Sequence, residues 1–339
     1  MKSNINDVAK HAGVSIKTVS RVINNEPSVR QSTRDKVLAS AQALNYQPNS
    51  AARNLAATKS YTIAYIYDNP NAYYVIDMQN GILSECRKQG YELLIHPCNA
   101  KDEGIVDALV QMIRSAQLSG VVLTPPFSEM PTLIDALDEN DIKYVRILSG
   151  SQLANDDNTR ILVDDNKAST ELTQHLIDLG HKDIAFIGGG KEHQSTFERL
   201  EGYKQALSDN NITIQESLIL DGEYSFESGV EGAKQLLALD KPPTAIFSCN
   251  DEIAAGALFA SRLLNVEIPQ QLSIVGFENS PFSRQTWPKL TTANQPNVDI
   301  AQTATKLLIS MTRNNPIDLP QKVFVPELIN RDSSGEISA

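Results

Sequence analysis

The sequence predicts a molecule in two parts: a small all-helical helix-turn-helix head at the N-terminus and an α/β body of two doubly wound parallel-sheet lobes. Three observations carry that prediction. The first is charge. The chain has 339 residues and a formal net charge of −11, yet residues 1–59 hold nine Lys/Arg against three acids, a net +6, leaving 21 basic against 38 acidic side chains, −17, on the remainder. The second is a helical period through the first 46 residues, and the third is a switch from Tyr61 onward to short apolar runs alternating with helix-like segments. A content of 41% hydrophobic and 21% charged residues is that of an ordinary globular protein and excludes a disordered or fibrous chain. The length allows two to three domains.

In the head, Ile5, Val8, Ala9 and Ala12 fall at i, i+3, i+4 and i+7, one apolar stripe of a helix that ends at Gly13, a residue suited to a left-handed C-cap. Ser15 can cap the next helix, whose apolar face is Val19, Val22 and Ile23. Ser32 with Asp35 resembles a capping box, and Val37, Leu38, Ala41 and Leu44 supply the buried face of a third helix. Two helices joined by a turn containing Gly, braced by a third, make a helix-turn-helix. A generic bundle with a solvated basic face is the competing reading. It is the weaker one, because Ile16, Lys17, Ser20, Arg21 and Asn24 remain on the free face of the second helix, several of them near its start. Side chains there reach base edges when such a helix enters the major groove.

Residues 47–60 read as a hinge. Pro48 suits a first helical turn and the Ala-rich run favours helix. A helix of roughly nine residues is marginal in water, where about 12 to 15 are needed, so the segment is expected to be a linker when free and a helix when docked. Strands are expected at Tyr61–Tyr67, Tyr91–His96, Gly120–Leu123, Lys143–Ile147, Ile161–Val163, Asp183–Ile187, Ser217–Leu220, Thr244–Ser248, Ser273–Gly276 and Val323–Val325. Runs such as Ile184-Ala185-Phe186-Ile187 are apolar on both faces, as parallel strands covered on both sides are. Their number exceeds one sheet, hence two lobes with a cleft between the carboxyl ends of the strands. The expected boundaries are 1–46 for the head, 47–60 for the hinge and 61–339 for the body, with lobe 1 at about 61–160 and 293–322 and lobe 2 at about 161–292 and 323–339.

Several chemistries are not expected. Cys86, Cys98 and Cys249 are odd in number and spaced for neither a disulfide framework nor a thiolate metal site. The five histidines (His11, His96, His175, His181, His193) form no H-E-x-x-H pair. Gly188-Gly189-Gly190 completes no phosphate-loop motif, and no G-x-S-x-G elbow occurs. Asp164 and Asp165 are adjacent, so on a strand they point to opposite faces and cannot act as a dyad. No cofactor, metal or enzymatic activity is expected. With no signal-like h-region and no run of about 18 apolar residues, membrane spanning is not expected and a reducing, cytoplasmic location is.

The segment Asn4-Ile5-Asn6-Asp7-Val8-Ala9-Lys10-His11-Ala12-Gly13-Val14-Ser15-Ile16-Lys17-Thr18-Val19-Ser20-Arg21-Val22-Ile23-Asn24 resembles the DNA-binding head of the lactose/galactose repressor (LacI/GalR) family almost position by position. The likeness continues through Thr33-Arg34, Val37 and Asn45-Tyr46-Gln47-Pro48-Asn49. The body is similar more loosely, at Gly90-Tyr91, Leu179-Gly180-His181, Arg199-Leu200-Glu201-Gly202-Tyr203, Asn250-Asp251, Ser273-Ile274-Val275-Gly276-Phe277 and Leu290-Thr291-Thr292. The resemblance implies a cytoplasmic transcription regulator, a body folded like periplasmic sugar-binding proteins, and a homodimer on pseudo-palindromic double-stranded DNA.

It also implies roles. Lys17 and Arg21 can donate to guanine or phosphate, Ile16 can pack on a thymine methyl, and the hydroxyls of Ser15, Thr18 and Ser20 suit phosphate positioning. Leu55 stands where the family wedges a hinge leucine into the minor groove. For an effector, taken to be a sugar or sugar derivative, Arg199 offers a bidentate fork and Asn250 both donor and acceptor. Tyr224, Tyr73 and Tyr74 offer aromatic faces, Gln295 lies at a crossover between lobes, and Arg146 at the end of a first-lobe strand can face the cleft. Glu278 stands where the family has Asp, one methylene longer. The functional class expected is a ligand-responsive repressor; the alternative is a solute-binding receptor or sugar-processing α/β protein, which would not carry a basic helix-turn-helix.

Overall fold

The computed structural model describes residues 3–23, 29–46, 60–69, 71–151, 159–315, 317, 319 and 322–337. Asn24, Leu55 and nearly all of the hinge lie outside the described residues.

The head is α1 (Ile5–Ala12), α2 (Ile16–Ile23) and α3 (Gln31–Ala43) around a core of Val8, Ala9, Ala12, Val19, Val22 and Val37. Gly13 adopts φ 64° and closes α1, where a side chain would be strained. Ser15 caps α2 by accepting the Thr18 amide at 3.1 Å. Two head expectations fail. The capping box at Ser32 does not form: α3 starts at Gln31 with Arg30 at its N-cap, so Ser32 is already within the helix and Asp35 accepts from Gln31 Nε2 instead, at 2.8 Å. Leu38 is 50% exposed because the buried stripe runs through Val37 and Ser40. A capping box does open α1, where Asn4 Oδ1 accepts from Asp7 N and Asp7 Oδ2 from Asn4 N.

The first lobe is a six-stranded parallel sheet of β1 (Thr62–Tyr67), β2 (Glu92–Pro97), β3 (Gly120–Leu123), β4 (Tyr144–Ser149), β5 (Arg160–Val163) and β11 (Val323–Phe324), in the order β11-β5-β4-β3-β1-β2. It is flanked by α4 (Ala72–Gln89), α5 (Ile105–Ser115), α6 (Pro131–Glu139) and α12 (Asn297–Thr312). The second lobe has β6 (Ile184–Ile187), β7 (Ile219–Leu220), β8 (Ala245–Ser248), β9 (Ser273–Glu278), β10 (Thr291–Asn294) and β12 (Glu327–Ile329), in the order β12-β10-β9-β8-β6-β7. Its helices are α7 (Asp165–Asp178), α8 (Gln194–Asp209), α9 (Phe226–Leu237), α10 (Asp251–Leu263) and the short α11 (Pro281–Gln285). Only the β10–β12 pair is antiparallel among the described strands. β3, β6 and β8 are buried at every position, as strands covered on both faces must be.

The chain passes between lobes three times, after β5, after β10 and after β11. The lobe boundaries therefore shift from those expected: Ile161–Val163 and Val323–Phe324 pair within the first sheet, and Ala293–Asn294 within the second. β10 and β12 fall outside every strand expected from sequence. β10 reads Thr-Thr-Ala-Asn, and its fully buried Thr291 and Thr292 are accommodated by hydrogen bonds rather than apolarity. The expected strand at Ser217–Leu220 shrinks to Ile219–Leu220 behind a 3-10 turn.

One contact fixes the functional face. α7 and α8 approach so closely at Gly202 that a Cβ there would press on the Asn166 carbonyl oxygen, a backbone atom that cannot give way. That approach sets the start of α7 beside the middle of α8. Gly202→Ala is expected to lower stability by about 1–3 kcal/mol, the usual cost of overpacking, seen as a reduced thermal midpoint; an unchanged midpoint would show that the two helices can part without cost.

Candidate functional site

Between the lobes lies a small cavity of about 60 Å³, walled by Asn69, Asn71, Tyr74, Ser149 and Ile147 of the first lobe and by Asp165, His193, Ser195, Arg199, Tyr224, Glu278 and Gln295 at the facing edge. Its centre is Arg199 on α8, which is 3% exposed. Nε donates to Asp165 Oδ1 at 2.8 Å, Nη1 to the Cys249 carbonyl at 2.7 Å and Nη2 to Gln295 Oε1 at 3.3 Å. The guanidinium lies 3.8 Å over the Phe277 ring. Burial is the largest single influence and weakens its hold on the proton, but Asp165, Tyr224, Cys249 and Glu278 together outweigh it and raise its pKa above the ordinary value. Asp165 also accepts from Ser149 Oγ at 2.5 Å, so its two oxygens face the two lobes.

Glu278 ends β9 in a left-handed conformation, φ 98°. Its Oε2 accepts from Asn71 Nδ2 of the first lobe at 2.7 Å, while Oε1 stays 3.9 Å from Arg199 Nη1. Asn71 meanwhile caps α4, its side-chain oxygen accepting the Tyr73 and Tyr74 amides. Burial pushes the Glu278 carboxyl up to about 8, against the pull of Arg199. Tyr224 is held by Thr196 Oγ1 at 2.9 Å and meets the His193 ring edge to face at 5.4 Å. Outside this cavity, a groove of about 430 Å³ runs past Glu129, Arg146, Lys191, Gln194 and Phe197. There Glu129, pushed up by burial to about 7, accepts the Gln194 amide across the cleft at 3.4 Å.

Of the residues expected to face an effector, Arg199, Tyr224, Glu278, Gln295 and Tyr74 line the cavity. Three do not. Arg146 lines the outer groove and donates from Nε to the Ser128 carbonyl at 2.6 Å. Tyr73 packs edge to face on Phe282 of the second lobe, at 5.6 Å. Asn250 is fully buried and caps α10, accepting the Ile253 amide at 2.9 Å. The Asp164-Asp165 pair, expected near the mouth of the cleft, supplies Asp165 to the lining, whereas Asn69, Asn71, Ser149, His193 and Ser195 line it without having been expected from the sequence. Asp164 and Asp165 do take different tasks: Asp164 caps α7 at the Lys167 amide, and Asp165 turns inward to Arg199.

In the head, Ile16, Lys17 and Arg21 are exposed along α2, and Thr18 and Ser20 are half-buried beside them. The Ser15 and Thr18 hydroxyls are 2.9 Å apart and bond to one another. The exposed side of α2 thus presents two cations and an apolar side chain around a capped start, a pattern suited to a DNA groove. Among the described residues no group of His, Cys, Asp and Glu could hold a metal ion, and no helix is long and apolar enough to cross a membrane.

The raised Glu278 pKa has a consequence for stability. Between the ordinary glutamate value of 4.5 and about 8, the folded protein keeps a proton that the unfolded chain has released, so stability falls as pH rises through that window. The slope from this one group is at most about 1.4 kcal/mol per pH unit. Glu278→Gln is expected to flatten the decline in denaturant midpoint between pH 5 and 8; an unaltered slope would place the titration elsewhere.

Comparison with known proteins agrees with both halves of the molecule. Residues 4–49 match the family model described as bacterial regulatory proteins, lacI family, and residues 173–334 match a periplasmic binding protein-like domain. Catabolite control protein A of Priestia megaterium is 31% identical over 319 residues, covering 94% of this chain and 95% of that protein. Among solved structures, the lac repressor dimer bound to operator and the anti-inducer ONPF aligns with a TM-score of 0.76 at 25% identity, over 99% of this chain and 100% of the other. A complex of the transcriptional regulator CelR with cellobiose aligns with a TM-score of 0.72 at 25% identity, over 98% and 99%. A basic helix-turn-helix followed by two parallel-sheet lobes around a polar cleft, matched over nearly its whole length by such relatives, makes this chain a member of the lacI family of bacterial regulatory proteins, transcriptional regulators rather than enzymes.

Proposed function

We propose that the chain is a cytoplasmic, homodimeric repressor of a carbohydrate-utilisation operon, whose head reads a pseudo-palindromic operator and whose interlobe cleft binds a sugar or sugar derivative. The observation that carries this reading is the cleft: hydrogen-bonding side chains of both lobes line it, Ser149 and Asn71 of the first bonding to Asp165 and Glu278 beside Arg199, so a hydroxyl-rich ligand inserted there engages both lobes at once. Tyr74 and Tyr224 supply the aromatic walls that sugar rings favour, and Arg199, Asp165, Glu278, Asn71 and Gln295 the polar groups. The relatives support the two halves separately: one neighbour is a dimer on operator DNA, the other a complex with cellobiose. The alternative of a solute-binding receptor or sugar-processing protein leaves the basic head without a task.

In this mechanism the ligand changes how the lobes close. Closure moves the first lobes of the two protomers relative to one another and sets whether their hinges pair in the minor groove, with Leu55 as the wedge. A ligand shifts that balance only by its differential affinity for the two closures, typically about 1–3 kcal/mol of coupling.

Two variants separate the jobs. Replacing Arg199 alone strands the buried Asp165 carboxylate, a loss of about 3–5 kcal/mol in stability. The double variant Arg199→Gln/Asp165→Asn keeps the pair uncharged, and is expected to lose the operator-binding response to sugars while retaining operator affinity within a few-fold. Equal loss of both would count against the cleft as the effector site. Leu55→Ala is expected to weaken operator binding at least about tenfold, 1.4 kcal/mol, with effector affinity in calorimetry unchanged. A variant that bound operator like the parent would remove the wedge from the mechanism.

A further inference from the structure

We infer that Arg331, acting through the side chain of Asn279, is a positioning residue of the interlobe site: it holds the strained turn that aims the Glu278 carboxyl into the cleft. The inference rests on the proposed effector role of that cleft, although neither Arg331 nor Asn279 lines it.

Two consecutive non-glycine residues at the end of β9, Glu278 with φ 98° and Asn279 with φ 56°, are left-handed. A non-glycine residue keeps such a backbone only where its surroundings hold it there, Asn more readily than Glu. What holds this turn is legible bond by bond. Arg331 Nη2 donates to Asn279 Oδ1 at 2.5 Å, and Asn279 Nδ2 donates to Asn294 Oδ1 at 2.8 Å. The Asn279 amide reaches Thr292 Oγ1 at 3.3 Å. Directly after the turn, the Ser280 amide donates to Asp251 Oδ2 at 2.6 Å.

The guanidinium has a rigid base. Its other arm, Nη1, donates to the Leu290 carbonyl at 2.8 Å, and the Arg331 amide donates to Thr291 Oγ1 at 3.0 Å. Two residues on, Ser333 is fully buried; its Oγ accepts the Thr291 amide and its carbonyl the Ile274 amide, so the segment after β12 is seated on β9 and β10 together. A planar fork spanning Asn279 and Leu290 locks the turn to the neighbouring strand, which the point charge of a lysine cannot do. The charged groups around it are Asp251, Arg284 and Asp332; those around Glu278 are Arg199, Asp251 and Asp165. Release of the turn lets Glu278 leave its buried position and its bond to Asn71, so its titration reports the aim of the side chain without any ligand.

The test follows the ¹³C resonances of glutamate side-chain carboxyls in the full-length protein from pH 4 to 10, the Glu278 signal being identified by its loss in Glu278→Gln. Wild-type Glu278 is expected to titrate near 8. In Arg331→Gln its midpoint is expected to fall by two pH units or more, with the remaining glutamates unchanged. Asn279→Gly, whose backbone accepts the left-handed conformation but whose side chain gives Arg331 nothing to hold, is expected to produce the same fall and covers the case in which Arg331→Gln does not fold. Wild-type midpoints in the variants, a fall in only one of two folded variants, or a wild-type Glu278 that titrates as an ordinary glutamate overturns the inference. The effector-site reading fails separately, if the Arg199→Gln/Asp165→Asn protein still responds to sugars.

Discussion

A cation buried almost completely between two lobes must be matched on every side, and that constraint organises the body of this protein. The Arg199 guanidinium satisfies it with a carboxylate just past the first crossover, a side-chain amide at the second, a backbone carbonyl at the end of β8 and the face of Phe277. A buried ion pair of this kind is weak evidence for stability but a strong constraint on geometry, since losing any partner leaves an uncompensated charge. Because Asp165 also takes the Ser149 hydroxyl of the other lobe, the pair ties the lobes' relative position to the state of the cleft. A ligand that competes for any of these donors and acceptors therefore acts on closure directly.

A second carboxyl works differently. Glu278 spans the cleft through Asn71, which is simultaneously the cap of α4, so one amide side chain joins a helix start in the first lobe to a strand end in the second. On the outer side Glu129 meets the first amide of α8. Both carboxyls are pushed up by burial, to about 8 and about 7. The cleft thus carries one protonatable contact at the wall of the cavity of about 60 Å³ and another in the groove outside it.

Much of this was legible in the sequence where chemistry and pattern coincide. The head followed from the apolar stripes and Gly13, and the two lobes from buried strands such as Ile184–Ile187. Arg199, Tyr224, Glu278, Gln295 and Tyr74, singled out by the family resemblance together with their chemistry, line the cavity. What escaped was governed by long-range pairing. β10 carries buried threonines whose partners, Asp251 and Ser333, lie 41 and 42 residues away, so no local apolar signal exists. Asn71 carries no local signal for the site: it caps α4, and its bond to Glu278 exists only because the other lobe stands beside it. Asn250 lies outside the cavity lining, its side-chain oxygen capping α10 while its buried Nδ2 has no hydrogen-bond partner among the described residues. Leu38 failed for a simpler reason: Ser40, whose hydroxyl bonds back to the Lys36 carbonyl, takes a buried place that hydrophobicity would have given away from it.

In the proposed mechanism cleft and head are thermodynamically linked, and linkage is reciprocal. The direct measurement is calorimetric: the affinity of the effector for the free protein and for the protein saturated with operator DNA. The two affinities are expected to differ by the same factor, roughly 5- to 150-fold, by which the effector changes operator affinity. Equal effector affinities in the presence and absence of operator would contradict it.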